Sequence, residues 1–273
     1  MRSRPKRSLG QNFLVDRSFR DRIVSEVRIE KGGVVLEIGP GEGALTRGLL
    51  ERVEGAEARL VLVELDDALA AHLAEDLAER PRVTVLHRSI LDLPLGEVSD
   101  ALGRLSVVGN IPYNLTSPIL FHLLAPPRPL EILVMVQREV ADRILAEPGS
   151  RTYGALSVGV RAVASAERVM NVPPGAFRPA PKVSSAVVRI VPTVPPDLTP
   201  AEEGELRSFT RALFQWRRKQ LGKILRDHPE LSLSQEVVDR VLVAGGARPE
   251  DRPETVGPAG FLAMARALPK GGD

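Results

Sequence analysis

The chain has 273 residues, 43% hydrophobic and 26% charged, which suits a soluble protein with one large domain and a small one. It holds no cysteine, which excludes disulfides, thiolate metal sites and cysteine nucleophiles, and its four histidines (His72, His87, His122, His228) show no metal-ligand spacing. Net charge is only +2, yet the pI is about 9.1 and the cations cluster, so a polyanionic partner is expected.

The first cluster is Arg2, Arg4, Lys6 and Arg7, which lead into Leu9-Gly10-Gln11-Asn12-Phe13 and not into an apolar signal segment. No apolar run is long enough to span a bilayer, and a cytoplasmic protein is expected. From residue 33 to about 137, strand-like runs alternate with helical ones. Val34–Ile38 reads as a buried strand and is followed by Gly39-Pro40-Gly41-Glu42-Gly43 and a helix over 44–53. A strand over 60–63 closes on Glu64, and a helix over 67–79 has Asp67 placed to cap or charge its first turn. Strands over 83–86, 105–108 and 132–136 complete the set. This alternation predicts an α/β fold, a parallel sheet with helices on both faces. Ligands bind beyond the carboxyl ends of such strands, so the loops at 39–43, 64–67, 89–92 and 109–114 are expected to converge.

A further strand is expected over 183–191, followed by a Pro-rich stretch, 193–200, that breaks all periodicity and reads as a stiff linker. Beyond it the chain is helical in character. Leu206, Phe209, Leu213, Trp216, Leu221 and Ile224 form an apolar stripe with most of the Arg and Lys off it. The expected organisation is therefore a cofactor-binding and catalytic domain over 1–192, of which 1–31 form a basic lid segment, then the linker and a helical domain over 201–273.

Glycines at 39, 41 and 43 after a buried strand make a turn whose backbone can approach a ligand, with a helix N-terminus behind it. Glu64 can accept both hydroxyls of a ribose, which points to an adenosine-bearing cofactor; it can equally cap the following helix. NAD and S-adenosyl-L-methionine both satisfy these features. The spacing Gly-x-Gly-x-Gly, rather than the Gly-x-Gly-x-x-Gly that seats a pyrophosphate, favours the second. So does Asn110-Ile111-Pro112-Tyr113 at the end of the 105–108 strand, which is of no use for hydride transfer. There the Asn110 side-chain oxygen and a turn carbonyl can accept from a planar amine, and the Tyr113 ring can stack on a base. Adenine is the obvious bearer of such an amine.

Several segments resemble the ribosomal RNA adenine N6,N6-dimethyltransferases: Ser8-Leu9-Gly10-Gln11-Asn12-Phe13-Leu14, Glu37-Ile38-Gly39-Pro40-Gly41, Val63-Glu64-Leu65-Asp66 and Gly109-Asn110-Ile111-Pro112-Tyr113-Asn114. Val172-Pro173-Pro174-Gly175-Ala176-Phe177-Arg178-Pro179-Ala180-Pro181-Lys182-Val183 and Phe214-Gln215-Trp216-Arg217-Arg218-Lys219 continue the match, which covers nearly the whole chain in order. Within the family the chain looks most like the housekeeping enzyme of the small ribosomal subunit. The macrolide-resistance methyltransferases of the large subunit are the nearest alternative, and a non-catalytic assembly factor is the rival binding class.

The resemblance implies a Rossmann-like methyltransferase sheet with a small C-terminal helical domain, and S-adenosyl-L-methionine as cofactor. It places Asn12 and Leu14 over that cofactor, Gly39 at its amino-acid end, Glu64 on its ribose, and Ser89 and Ile90 at its adenine, with Gly41 and Asn110 also among the cofactor-binding residues. Asn110 and the Ile111 carbonyl would bind the target amine, with Tyr113 and Phe177 sandwiching a flipped adenine. Arg207, Arg211, Arg217, Arg218, Lys219, Lys223 and Arg226 would contact RNA phosphates. The implied partner is small-subunit rRNA in an assembling particle, with no metal, no membrane and a monomeric enzyme. Two positions depart from the pattern. Ser89 stands where an Asp is usual and should weaken cofactor binding without changing the chemistry, and Ser184 stands where an acidic residue is common.

Overall fold

The computed structural model describes residues 12–193 and 198–269. The basic cluster at Arg2, Arg4, Lys6 and Arg7, the motif residues 8–11 and the linker residues 194–197 lie outside the described residues. In chain order the elements are β1 (Phe13–Leu14), α1 (Arg17–Glu26), β2 (Val34–Ile38), α2 (Thr46–Gly55), β3 (Arg59–Glu64), α3 (Asp67–Asp76), β4 (Val83–His87), α4 (Leu95–Val98), β5 (Leu105–Asn110), α5 (Thr116–Leu123), β6 (Glu131–Gln137), α6 (Arg138–Ile144), α7 (Ala155–Arg161), β7 (Ala164–Val172), β8 (Phe177–Arg178), β9 (Ser185–Pro192), α8 (Pro200–Gln215), α9 (Leu221–Asp227), α10 (Gln235–Ala244) and α11 (Pro258–Arg266).

A seven-stranded sheet runs in the order β4-β3-β2-β5-β6-β9-β7. β4 to β6 are parallel to their neighbours, and β9 joins β6 antiparallel. The strand order reverses between β2 and β5, the crevice where open α/β sheets seat ligands. β2 is buried along its whole length, and the neighbouring β3 and β5 are buried over nearly all of theirs, so their apolar runs read as continuous rather than alternating. β1 and β8 form a separate two-stranded antiparallel ribbon, with Phe13 opposite Arg178 and Leu14 opposite Phe177.

Two local differences from expectation have simple causes. Asp67 charges the first turn of α3, one of its two expected roles, but does not cap it. Asp66 does, its Oδ1 accepting from the Ala68 and Leu69 N–H groups at 3.1 and 3.3 Å, because the cap residue must lie one position before the first helical turn. α1 forms inside the segment read only as a basic lid. Asp16 caps its start, and the Arg52 guanidinium on α2 donates to the Val24 and Val27 carbonyls at its far end.

The chain divides into two compact units, 1–141 with 166–192 and 142–165 with 193–273. The expected catalytic domain of 1–192 is therefore corrected in one part: residues 142–165, counted with it from sequence, belong with the C-terminal helices, while the chain passes to the second unit again at 193. The reason is packing. Tyr153 is fully buried edge-on to Phe214 at 6.1 Å, and Phe214 meets Phe261 at 5.7 Å. Within this second unit Thr199 and Glu202 form a reciprocal cap on α8. The expected stripe is buried at Leu206, Phe209, Leu213, Leu221 and Ile224, whereas Trp216 ends α8 half-buried, edge-on to His228. Among the described residues no helix is long and apolar enough to cross a membrane, and no cluster of His, Asp or Glu could hold a metal ion.

Candidate active site

All four loops expected to converge do so, at one cavity in the first unit. It is lined by residues that include Asn12, Leu14, Gly39, Gly41, Glu64, Ser89, Ile90, Asn110, Ile111, Pro112 and Tyr113. Others on the same wall are not singled out by the sequence reading: Phe13, Glu37, Leu65, Arg88, Leu91 and Met135. Phe13 and Glu37 stand inside motifs already quoted, but nothing in sequence marks Met135, which arrives as the β6 partner of Asn110.

The glycine turn is built for close approach. Gly41 has φ +59°, where a side chain is strained, and a Cβ there would crowd the Phe13 ring at 3.1 Å. Glu64 is only 6% exposed. Its Oε1 accepts from the Leu65 and Asp66 N–H groups, each at 2.9 Å, and its Oε2 accepts from the Gly41 N–H at 3.0 Å. The carboxylate thus stitches the glycine turn to the end of β3. A carboxylate has about four acceptor positions, so one remains on Oε2.

Glu37 lies on β2, 2% exposed, with the Thr46 hydroxyl donating to its Oε2 at 2.7 Å. Burial pushes its carboxyl up to about 8; the Thr46 hydrogen bond opposes that, and the charge of Glu64 adds to it. At Ser89 the hydroxyl oxygen accepts from the Leu91 N–H at 3.2 Å, which caps a short 3₁₀ turn over Ile90–Asp92.

Asn110 ends β5 in a defined orientation. Its side-chain Nδ2 donates to the Asn12 backbone carbonyl at 2.9 Å. A carbonyl can only accept, so the amide nitrogen must face Asn12, and Oδ1 is the end left to accept. Next to it, the Ile111 N–H donates to the Met135 carbonyl at 3.1 Å, holding the turn to β6. Tyr113 is half-buried, and its hydroxyl shares a 2.9 Å hydrogen bond with the buried Ser185 hydroxyl on β9. Burial raises the Tyr113 pKa, partly offset by that bond. Both polar side chains of the Asn-Ile-Pro-Tyr turn are therefore held from outside it, Asn110 by β1's flank and Tyr113 by β9.

Phe177 is not brought to the cavity. Its ring is 2% exposed in the core with Leu14, Met170, Val172 and Val187, because β8 turns it inward across from Leu14. In this structure it is a core aromatic, and its expected place opposite Tyr113 is corrected. The cations expected to meet RNA, Arg207, Arg211, Arg217, Arg218, Lys219, Lys223 and Arg226, all belong to the second unit.

Residues 2–248 match the ribosomal RNA adenine dimethylase family. The chain is 39% identical to the ribosomal RNA small subunit methyltransferase A of Geobacter metallireducens over 97% of this chain and 96% of that protein. It is 40% identical to the protein of the same name from Xanthomonas oryzae pv. oryzae, with the same coverage of 97% and 96%. Among solved structures it is similar to the 23S rRNA methyltransferase ErmE, at TM-score 0.69 and 28% identity over 94% of this chain and 99% of that one. A dimethyladenosine transferase from Plasmodium falciparum shares the fold, at TM-score 0.75 and 23% identity over 92% and 95%. With a match of this extent, and with the motif residues gathered at one cavity, the chain belongs to the ribosomal RNA adenine dimethylase family.

Proposed function

We propose that this chain transfers methyl groups from S-adenosyl-L-methionine to N6 of two adjacent adenosines in a 3′-terminal hairpin of small-subunit rRNA, giving N6,N6-dimethyladenosine during subunit biogenesis. The observation that carries this reading is the Asn110 carboxamide, anchored through its nitrogen to the Asn12 carbonyl beside Tyr113. Identity of 39–40% to small-subunit enzymes, against 28% to ErmE, favours the small subunit as substrate.

The cavity fits the methyl donor. The cradle at Gly41 would be crowded by a Cβ, Glu64 keeps an acceptor for a ribose hydroxyl, and Leu65, Ile90 and Leu91 offer apolar contact to a purine. Asn12 and Leu14 would cover it, and Gly39 would flank its amino-acid end. When bound, S-adenosyl-L-methionine supplies an electrophilic methyl group on a sulfonium.

The protein's own task is positioning. Asn110 Oδ1 and the Ile111 carbonyl accept from the two N6 hydrogens, which turns the nitrogen lone pair, otherwise delocalised into the ring, toward the methyl carbon. Tyr113 stacks on the extruded base, and its Ser185 bond keeps the ring from rotating away. With the donor held beside Asn110, its methyl would pass from sulfur to N6, and the N6 proton would leave to Asn110 Oδ1, the Ile111 carbonyl or water. A second transfer needs only one remaining hydrogen, which a neutral amide oxygen still accepts. Holding the two reacting atoms in near-attack geometry supplies much of the rate, and no residue need act as a base beforehand.

The test is incubation of the chain with methyl-labelled S-adenosyl-L-methionine and unmethylated small subunits, with large-subunit RNA as control. Label in dimethyladenosine of the small-subunit rRNA alone is the expected result. Label confined to the large-subunit RNA would overturn the substrate assignment.

A further inference from the structure

Five of the seven RNA-binding candidates in the second unit are already engaged by carboxylates: Arg207 by Glu203 at 3.7 Å, Arg211 by Glu230 at 3.4 Å, Arg217 by Glu254 at 3.5 Å, and Lys223 and Arg226 by Asp227 at 3.2 and 2.9 Å. A cation neutralised in this way presents little net charge to a phosphate. In the first unit three cations without such a pairing adjoin elements that line or brace the cavity.

Arg138 opens α6 where β6 ends, and its N–H donates to the Ser184 carbonyl at 2.9 Å; the next residue, Ser185, holds the Tyr113 hydroxyl. Lys182 lies two positions before Ser184. Arg178 is paired in the β1–β8 ribbon with Phe13, which itself lines the cavity. All three side chains are exposed, and none has an ion pair or hydrogen-bonded side-chain partner among the described residues. Between Glu167 and Asp197 the sequence contains no carboxylate at all, so no chain neighbour neutralises Arg178 and Lys182. Glu139 follows Arg138 without pairing to it.

We propose that Arg138, Arg178 and Lys182 form a cationic rim that binds the phosphodiester backbone on either side of the target adenosine. This rests on the RNA-methylation reading above. A nucleotide swung into the cavity brings its own flanking phosphates to the cavity's edge, whichever way the rest of the RNA runs. Unstacking the base is unfavourable, and contacts made only in the extruded geometry are the ones that offset it. The rim is placed to make them, whereas cations distant from the base stabilise stacked and extruded RNA alike.

The probe is a synthetic 3′-terminal hairpin of small-subunit rRNA, with unmethylated small subunits as substrate. Three variants are compared with wild type: the triple Arg138→Gln, Arg178→Gln, Lys182→Gln; the single Ser184→Asp, which adds a negative charge between the rim cations while leaving all three in place; and the triple Arg207→Gln, Arg211→Gln, Lys223→Gln. Removing one cation–phosphate interaction should flatten the dependence of log affinity on log salt by about one. The rim triple should therefore flatten it by about two to three and bind RNA at least about tenfold more weakly at low salt. Ser184→Asp should bind about threefold more weakly. Both should keep wild-type affinity for S-adenosyl-L-methionine and an unchanged melting temperature. The helical-unit triple should flatten the slope less than the rim triple does. Wild-type RNA affinity and salt slope in Ser184→Asp and in the rim triple would overturn the rim while leaving the methylation reading intact. If the rim triple does not fold, Ser184→Asp alone decides. Failure of the wild type to methylate small subunits would instead overturn that reading, and the rim with it.

Discussion

Asn110 can be tested in two ways that separate its two ends. Asn110→Ala removes both the acceptor and the tie to Asn12, and it should abolish methylation while cofactor affinity stays within about tenfold, roughly 1.4 kcal/mol. Asn110→Asp keeps the acceptor but sets a carboxylate oxygen against the Asn12 carbonyl, now 2.9 Å from a donor. Two acceptors cannot share that position, so this variant should lose both methylation and the closure by residues 12–14, with cofactor binding weaker than in the Ala variant. Calorimetric titration alongside single-turnover assays checks both, and an Asp variant with intact cofactor affinity would mean the tie to Asn12 is incidental. Ser89 makes the opposite prediction. Its oxygen already caps Leu91, and an Asp there could keep the cap with one oxygen and accept from the cofactor's adenine amine with the other. Ser89→Asp should bind S-adenosyl-L-methionine more tightly by about 1 kcal/mol, and no gain in titration would reject the reading. At this scale the sequence is informative about which residues line the cavity and silent about what holds them. Asn110 and Asn12 are 98 positions apart, and no spacing rule reports a hydrogen bond between them. Phe177 shows the reverse failure: the motif places its ring beside the base, but the local strand pairing buries it.

Gly109 carries the geometry of a whole element. It sits opposite Ile38 in the β2–β5 ladder, and a Cβ there would lie 2.5 Å from the Ile38 carbonyl oxygen. Gly109→Ala must therefore push β5 from β2 at the point where both strands deliver their loops to the cavity. The expected cost is about 1–3 kcal/mol of stability, with cofactor affinity and methylation reduced as well. Gly96 in α4 has nothing within 4 Å of its would-be Cβ, so Gly96→Ala should be neutral or slightly stabilising. Denaturant unfolding of the two variants separates a steric effect from a general cost of replacing glycine. The elements most legible in sequence are β2, β3, β5 and β6, because strands covered on both faces appear as unbroken apolar runs between turn signals. β7 is not legible. It is an outer strand of the sheet with mixed exposure, and Ala164-Ser165-Ala166-Glu167-Arg168 has neither alternation nor an apolar run. The short α6 and α7 have too few turns for a 3.6-residue period to declare itself.

For the molecule as a whole, the division at 193–200 follows from proline density, which marks stiffness along the chain but carries no information about contacts; residues 142–165 join the second unit only through their tertiary packing. Charge shows the same limit, since a net +2 conceals which cations are paired. The buried Glu37 ties the site to global stability in a way that pH can expose. Its carboxyl is held up to about 8 in the folded protein against 4.5 for the ordinary group. Between those values the folded chain keeps a proton that the unfolded chain has released. The contribution is thus fully present below about pH 4.5 and is lost as pH rises through about 8. Glu37→Gln keeps an acceptor for Thr46 but cannot ionise, so its melting temperature relative to wild type should climb steadily from pH 5 to pH 8. Comparing the two proteins in one buffer series cancels every other titrating group, and a flat difference would show that Glu37 is already ionised when folded. The same proton predicts a functional signature. A cationic donor seated in the cavity favours the carboxylate, so binding S-adenosyl-L-methionine near pH 7 should release a proton in the wild type and none in Glu37→Gln, as read by calorimetry in buffers of different ionisation enthalpy. Equal release in both proteins would assign the proton to another group and leave Glu37 with a packing role alone.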